Sequence, residues 1–193
     1  MSYLRLHSRL TCSEVNGPGR RAVIWVQGCS LGCEGCFNPE SHPEQGEESR
    51  IVPVVELVDW LRGCDIEGLT ISGGEPFQQL SAVVELGVAA RAIGLSVIMF
   101  TGYTTRQAFS KVSKQTLTAA CDVLIAGPYV QTLHLAEGLR GSSNKEYVFL
   151  SDCYSPESFN GLDDAEIVID QFGSVIATGM TVPVFETSIR SRE

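Results

Sequence analysis

No basic run longer than the Arg20-Arg21 pair occurs in this 193-residue sequence: 14 basic residues stand against 23 acidic ones, a net charge of −9. Such a chain has nothing to track a phosphate backbone, which disfavours nucleic-acid binding. Long apolar stretches are missing as well. The longest have the length of a buried strand, far below the ~20 residues of a membrane span. The N-terminal segment MSYLRLHSRL lacks the apolar region of a signal peptide. These absences point to the cytoplasm. No internal repeat is visible, and 44% hydrophobic with 19% charged residues excludes a disordered, collagenous or coiled-coil chain. The length suits one domain with a full core that needs no disulfide or metal staple. We expect a single domain over 1–193, with its core at about 14–150 and an extension at about 151–193.

Seven cysteines are present. A reducing compartment argues against a disulfide framework. Cys12, Cys64, Cys121 and Cys153 are scattered singly and read as small hydrophobic residues. Cys29, Cys33 and Cys36 are clustered.

The pattern around them is one of alternating strands and helices. Arg21 to Gln27 reads as a buried strand after an Asn16-Gly17-Pro18-Gly19 turn. A polar stretch, Asn38 to Arg50, precedes a helix starting near Pro53 and stopping at Gly63, with Val54, Leu57, Val58 and Leu61 on one face. Strands follow at Leu69–Ile71, Leu95–Phe100 and Val123–Ile125. Between them lie a helix from about Gln78 to Ile93, with a stripe of Leu80, Val83, Val84, Val88 and Arg91, and helical character from Thr104 to Ala120. Apolar strands alternating with amphipathic helices indicate βαβ units and a parallel sheet. Gln131 to Lys145 reads as a loop, and Tyr147 to Leu150 as a strand. Glu166–Asp170 and Ser174–Thr178 form a hairpin across Phe172-Gly173, expected as an antiparallel addition to the main sheet.

The chemistry lies in Gln27-Gly28-Cys29-Ser30-Leu31-Gly32-Cys33-Glu34-Gly35-Cys36-Phe37-Asn38-Pro39. Three thiolates in this Cys-x3-Cys-x2-Cys spacing can ligate three irons of a 4Fe-4S cluster and leave the fourth open. An open iron can take the amino and carboxylate groups of S-adenosylmethionine (SAM). A zinc site is the competing reading. It wants four ligands in paired knuckles, whereas only Cys33 and Cys36 have knuckle spacing, with His42 as the available fourth ligand. Ser72-Gly73-Gly74-Glu75-Pro76 ends the second strand, where α/β sheets bind ligands. A glycine pair there lets a ligand approach the backbone. Alone it would read as a structural turn.

Together these motifs resemble the radical SAM superfamily. The resemblance assigns Gly73, Gly74, Glu75 and Pro76 to the methionyl end of SAM, and places Thr101 and Tyr103 near SAM. Asn16-Gly17-Pro18-Gly19-x-Arg21, Cys33-x-Gly35-Cys36-x-Asn38, Ser72 to Phe77, Thr101-Gly102-Tyr103 and Arg140-Gly141-Ser142-Ser143-Asn144 resemble, in that order, the anaerobic ribonucleotide reductase activating proteins. The implied fold is an incomplete, open-sided TIM-like barrel of largely parallel strands with helices outside, since a full barrel needs ~250 residues. The implied activity is reductive cleavage of SAM to a 5′-deoxyadenosyl radical, which takes a hydrogen from a glycine of a large glycyl radical enzyme. A reduced flavodoxin or ferredoxin is the implied electron donor and a homodimer the implied assembly. No side chain is assigned as catalytic. Two departures stand out: Ala126 occupies a position where that subfamily usually has Asp, and the tail from Tyr147 to Glu193 exceeds the minimal activating protein. They keep open direct action on a peptide or small molecule. A non-catalytic electron carrier is the third alternative, disfavoured because it needs no SAM site. Arg140 to Asn144 is expected at the surface, either bordering the open side or as a plain turn.

Overall fold

The computed structural model describes residues 2–46, 49–169, 173 and 175–181. Along the chain run β1 (Tyr3–Ser13), β2 (Arg21–Val26), β3 (Arg50–Pro53), α1 (Val54–Arg62), β4 (Gly68–Gly73), α2 (Leu80–Ala92) and β5 (Ser96–Thr101). Then come α3 (Thr105–Lys111), α4 (Lys114–Ala120), β6 (Val123–Ala126), β7 (His134–Glu137), β8 (Arg140–Ser142), β9 (Glu146–Phe149), β10 (Ala165–Ile169) and β11 (Val175–Gly179). Seven strands form one sheet in the order β3-β1-β2-β4-β5-β6-β9. Its four central strands, β2, β4, β5 and β6, are parallel. Antiparallel strands flank them on both sides. The sheet is open, with β3 and β9 at its edges, so no closed barrel forms among the described residues. No described helix is long and apolar enough to cross a membrane.

The central strands are buried on both faces, which is why they read as continuous apolar runs. On one face Ile24, Ile71, Met99 and Leu124 pack beneath Leu57 and Leu61 of α1, Val83 and Leu86 of α2, and Leu117 of α4. On the other, Ile98, Val123 and Ile125 meet Leu139 and Phe159. The alternation of side chains in a strand produces both layers. All four parallel strands end on the same side, at Val26, Gly73, Thr101 and Ala126, and that row of ends builds the site.

Several elements depart from the sequence reading. β1 and β3 are additional strands. β1 carries Leu4, Leu6 and Leu10 into the core, but a register irregularity between Leu6 and Ser8 breaks the alternation. In α2 the buried set is Ala82, Val83, Leu86, Gly87 and Ala90, while Val88 is 43% exposed. The face is set by small residues: a Cβ at Gly87 would collide with the carbonyl of Ala120 at the end of α4. The expected loop at 131–145 contains a short hairpin, β7–β8, so Arg140 and Gly141 lie in a strand. β9 joins the main sheet as expected, but β10 and β11 form a separate two-stranded sheet. Of the expected hairpin, Asp170, Phe172 and Ser174 lie outside the described residues.

Arg21, fully buried, explains the Asn16-Gly17-Pro18-Gly19-x-Arg21 motif. Its guanidinium donates to Thr70 Oγ1 (2.8 Å), Ser96 Oγ (3.0 Å), Tyr154 OH (2.8 Å) and the carbonyl of Leu69 (2.7 Å). A Cβ at Gly17 would meet its Cδ at 2.7 Å, so Gly17 leaves the space it fills. Asp122 is a second buried tie, accepting from Val97 N–H (2.8 Å) and Ser151 Oγ (2.6 Å) and pairing with Arg91 at 3.0 Å.

Candidate metal-cluster and ligand site

The cysteine loop leaves β2 at Gly28, whose φ of +101° suits glycine. Its base is clasped by the turn that follows it. Gly28 N–H donates to Ser41 O (2.8 Å) and Cys29 N–H to His42 O (2.9 Å). Gly32 (φ +61°) and Gly35 (φ +68°) bend the loop back on itself. Cys29, Cys33 and Cys36 thereby face one cavity of about 240 Å³. Burial raises the thiols of Cys29 and Cys36, partly opposed by backbone hydrogen bonds.

The glycine pair has a role that the sequence reading did not give it. The space a Cβ would fill at Gly74 is taken by the protein's own backbone, with Gly28 O at 2.5 Å and Ser41 O at 3.0 Å. Gly74 N–H donates to Val26 O (2.7 Å) and Glu75 N–H to Gly28 O (2.9 Å). The pair seats the cysteine loop against β4. Gly74→Ala is therefore expected to destabilise the fold by about 1–3 kcal/mol through overpacking. It should also lower iron content after reconstitution, measured by iron assay beside thermal melting.

Glu75 is almost wholly buried at 1% exposure. Its Oε1 accepts from Phe77 N–H and from Thr101 Oγ1, both at 2.8 Å, and its Oε2 from Gly102 N–H at 2.7 Å. Burial raises its pKa, and these hydrogen bonds pull the other way. The carboxylate thus staples the end of β4 to the end of β5. Gly73, Gly74, Glu75, Pro76 and Thr101 all line the cavity with the cysteines. Tyr103 is not among the lining residues. Its ring packs on Phe77 at 6.4 Å between centroids, beneath the Lys111 ammonium at 4.3 Å.

Lys145 also lines the cavity, one residue past the Arg140 to Asn144 motif at which the sequence reading stopped. Its Nζ donates to the carbonyl of Gly127 at 2.6 Å. Burial lowers its pKa, opposed by the charges of Cys33, Glu75 and Cys36. The signal was a lone cation in a polar loop, which usually means a solvated turn.

Among the described residues, no three His, Cys, Asp or Glu side chains are grouped to hold a single metal ion. A zinc ion needs its sulfurs at ~2.3 Å. A cluster takes each sulfur on a different iron, so the thiols must stand further apart. Three thiols around one cavity with an ammonium beside them fit a cluster, because the cation offsets thiolate charge. The bare geometry is that of an α/β protein with a thiol-lined cofactor site at its strand ends.

The chain belongs to the 4Fe-4S single cluster domain family, whose profile matches residues 15–148. The relatives it matches include activating proteins of a reductase and of a lyase. The anaerobic ribonucleoside-triphosphate reductase-activating protein of Enterobacteria phage T4 is 33% identical over 151 residues, 75% of this chain and 92% of that protein. The protein of the same name from Vibrio cholerae is 32% identical over 74% of this chain and 96% of its own length. The pyruvate formate-lyase-activating enzyme of Listeria monocytogenes is 35% identical over 47% of this chain but only 38% of its own length. Among solved structures, that of QueE from Escherichia coli aligns with 53% of this chain and 54% of its own at a TM-score of 0.47 and 15% identity.

Proposed function

We propose that this chain is a cytoplasmic single-domain radical SAM enzyme that activates a partner protein by taking a hydrogen from one of its glycines. Cys29, Cys33 and Cys36 would hold the cluster, and a reduced flavodoxin or ferredoxin would feed it. When bound, the cluster supplies the electron that splits SAM into methionine and the hydrogen-abstracting 5′-deoxyadenosyl radical. The observation that carries this reading is the convergence of all three cysteines and the Gly73 to Pro76 strand end on one cavity.

The chain's own residues then divide the work. Gly74 and Glu75 hold the cysteine loop and the end of β5 in fixed relation. The backbone of Gly73 to Pro76 borders SAM, with Thr101 beside it, its hydroxyl already committed to Glu75. Lys145 keeps one N–H on Gly127 and turns its charge toward the cysteines and the carboxylate of SAM. We read the open sheet as a partial barrel whose uncovered side admits a protein segment.

The test is anaerobic reconstitution followed by dithionite and SAM. About four iron per chain and slow release of 5′-deoxyadenosine without substrate are expected. Tightly held zinc with no reconstitutable iron, or an iron-loaded protein that leaves SAM intact, would refute it.

A further inference from the structure

The family match ends at residue 148, and the β10–β11 hairpin beyond it sits on the cavity. A strand that lines a cavity with one face contributes every second residue. Here five consecutive residues line it: Ile176, Ala177, Thr178, Gly179 and Met180. The hairpin therefore meets the cavity with a strand edge. Among the described strands β11 pairs only with β10. Its other edge carries backbone groups with no described strand opposite them. Register identifies these groups. Met180 N–H donates to Asp164 O (2.7 Å), and Ala177 lies opposite Ile167. In an antiparallel ladder, residues alternate between bonding the partner strand and pointing away from it. Counting back from Met180, Thr178 and Ile176 bond β10, and Ala177 turns its N–H and C=O outward. Asn16 Nδ2 donates to Thr178 Oγ1 at 3.0 Å and holds the edge in place. Glu14, Asp163, Asp164 and Glu166 lie on or beside the hairpin, and Glu14 N–H donates to Glu166 Oε2 at 3.1 Å.

We propose that the outer edge of β11 is a β-addition site. It takes an extended, glycine-containing segment of a partner polypeptide, with basic residues flanking the glycine, and holds it along the cavity. The inference rests on the function proposed above, in which a backbone glycine is the hydrogen donor. Glycine offers no side chain to grip, so recognition must come from main-chain hydrogen bonds and flanking residues. Strand addition supplies the first. The carboxylates around the hairpin complement basic flanks. The competing occupant is a second copy of this chain, paired edge to edge.

Ala177→Pro removes the outward N–H while sparing the bonds to β10. The probe is a short, capped, fluorescent peptide with Gly at its centre, Val and Thr around it and Lys at each end. Its affinity for the anaerobic holo-protein with SAM is read by fluorescence anisotropy. Ala177→Pro should weaken binding about tenfold, the effect of one lost hydrogen bond. Iron content after reconstitution should not change. N-methylating the amides next to the peptide's glycine should weaken binding to the wild type likewise. Equal affinity across these comparisons, or no binding to the wild type, overturns the proposal. So does a dimer of the wild type that Ala177→Pro dissolves. Because affinity is read without turnover, a wild type that binds peptide but does not cleave SAM counts against the proposed function alone.

Discussion

Replacing Cys29, Cys33 or Cys36 by Ala is expected to leave a protein that holds no iron after anaerobic reconstitution, against about four per chain in the wild type. Each thiol would be the sole protein ligand of its iron, and the cavity wall offers no further cysteine among its lining residues. Loss of one ligand would open a second iron to solvent and make the cluster labile. SAM cleavage should fall to background with it. Cys64→Ala is the control. That thiol sits at the end of α1, where Sγ donates to Trp60 O at 3.3 Å, away from the cavity. Cys121 is a poor ligand for a different reason: burial pushes its thiol up to about 12, so it stays protonated in the core. Iron assay and the visible absorbance of the reconstituted variants decide the matter. A Cys33→Ala protein with full iron content would remove these residues from the site.

The largest effect on stability is expected from Arg21→Ala. The substitution empties a fully buried space and strips hydrogen bonds from Thr70, Ser96, Tyr154 and the carbonyl of Leu69 together. Each buried acceptor left without a donor costs about 1–3 kcal/mol. Some will find each other, as Ser96 and Tyr154 already do at 2.7 Å. A net loss of about 3–5 kcal/mol follows, comparable with breaking a buried charge pair. For a chain of this size that lowers the melting temperature by roughly 10 °C. Burial lowers the pKa of Arg21, opposed by the Tyr154 hydroxyl and the charge of Asp122. Thermal melting of the apo-protein is the measurement, because it separates this effect from cluster loss. A shift within a degree or two would mean that the pocket collapses without strain.

The sequence carried the parallel core well, because strands buried on both faces are mainly apolar, Arg21 and Thr70 apart. The α1 face was equally legible from Val54, Leu57, Val58 and Leu61, all of which are buried. β1 was missed because Ser8 interrupts the even-spaced series Leu4, Leu6 and Leu10 at the point where the register shifts. The packing face of α2 was misread because a stripe of large residues seemed to define it. The close approach of α4 at Gly87 defines it instead, and no local pattern announces that contact. At the site, the cysteines were legible from their spacing, and the strand-end motif only through its resemblance to the radical SAM superfamily. What Glu75 does could not. Its partners Thr101 and Gly102 lie 26 and 27 residues away, and only the folded sheet brings them together. The same holds for Lys145, whose acceptor is the carbonyl of Gly127.

The hairpin that roofs the cavity also sets an order of events during synthesis. Asn16 and Thr178 meet across 162 residues, so the floor of the cavity is translated early and its roof last. Contacts of such separation close slowly, because the intervening chain must first be ordered. On a ribosome, the cysteine loop is fully made while the segment that will cover it is still inside the exit tunnel. During that interval the three thiols stand in an open groove, within reach of whatever delivers iron and sulfide. Once β11 pairs with β10, the same groove has gained the β11 residues that line it together with the thiols.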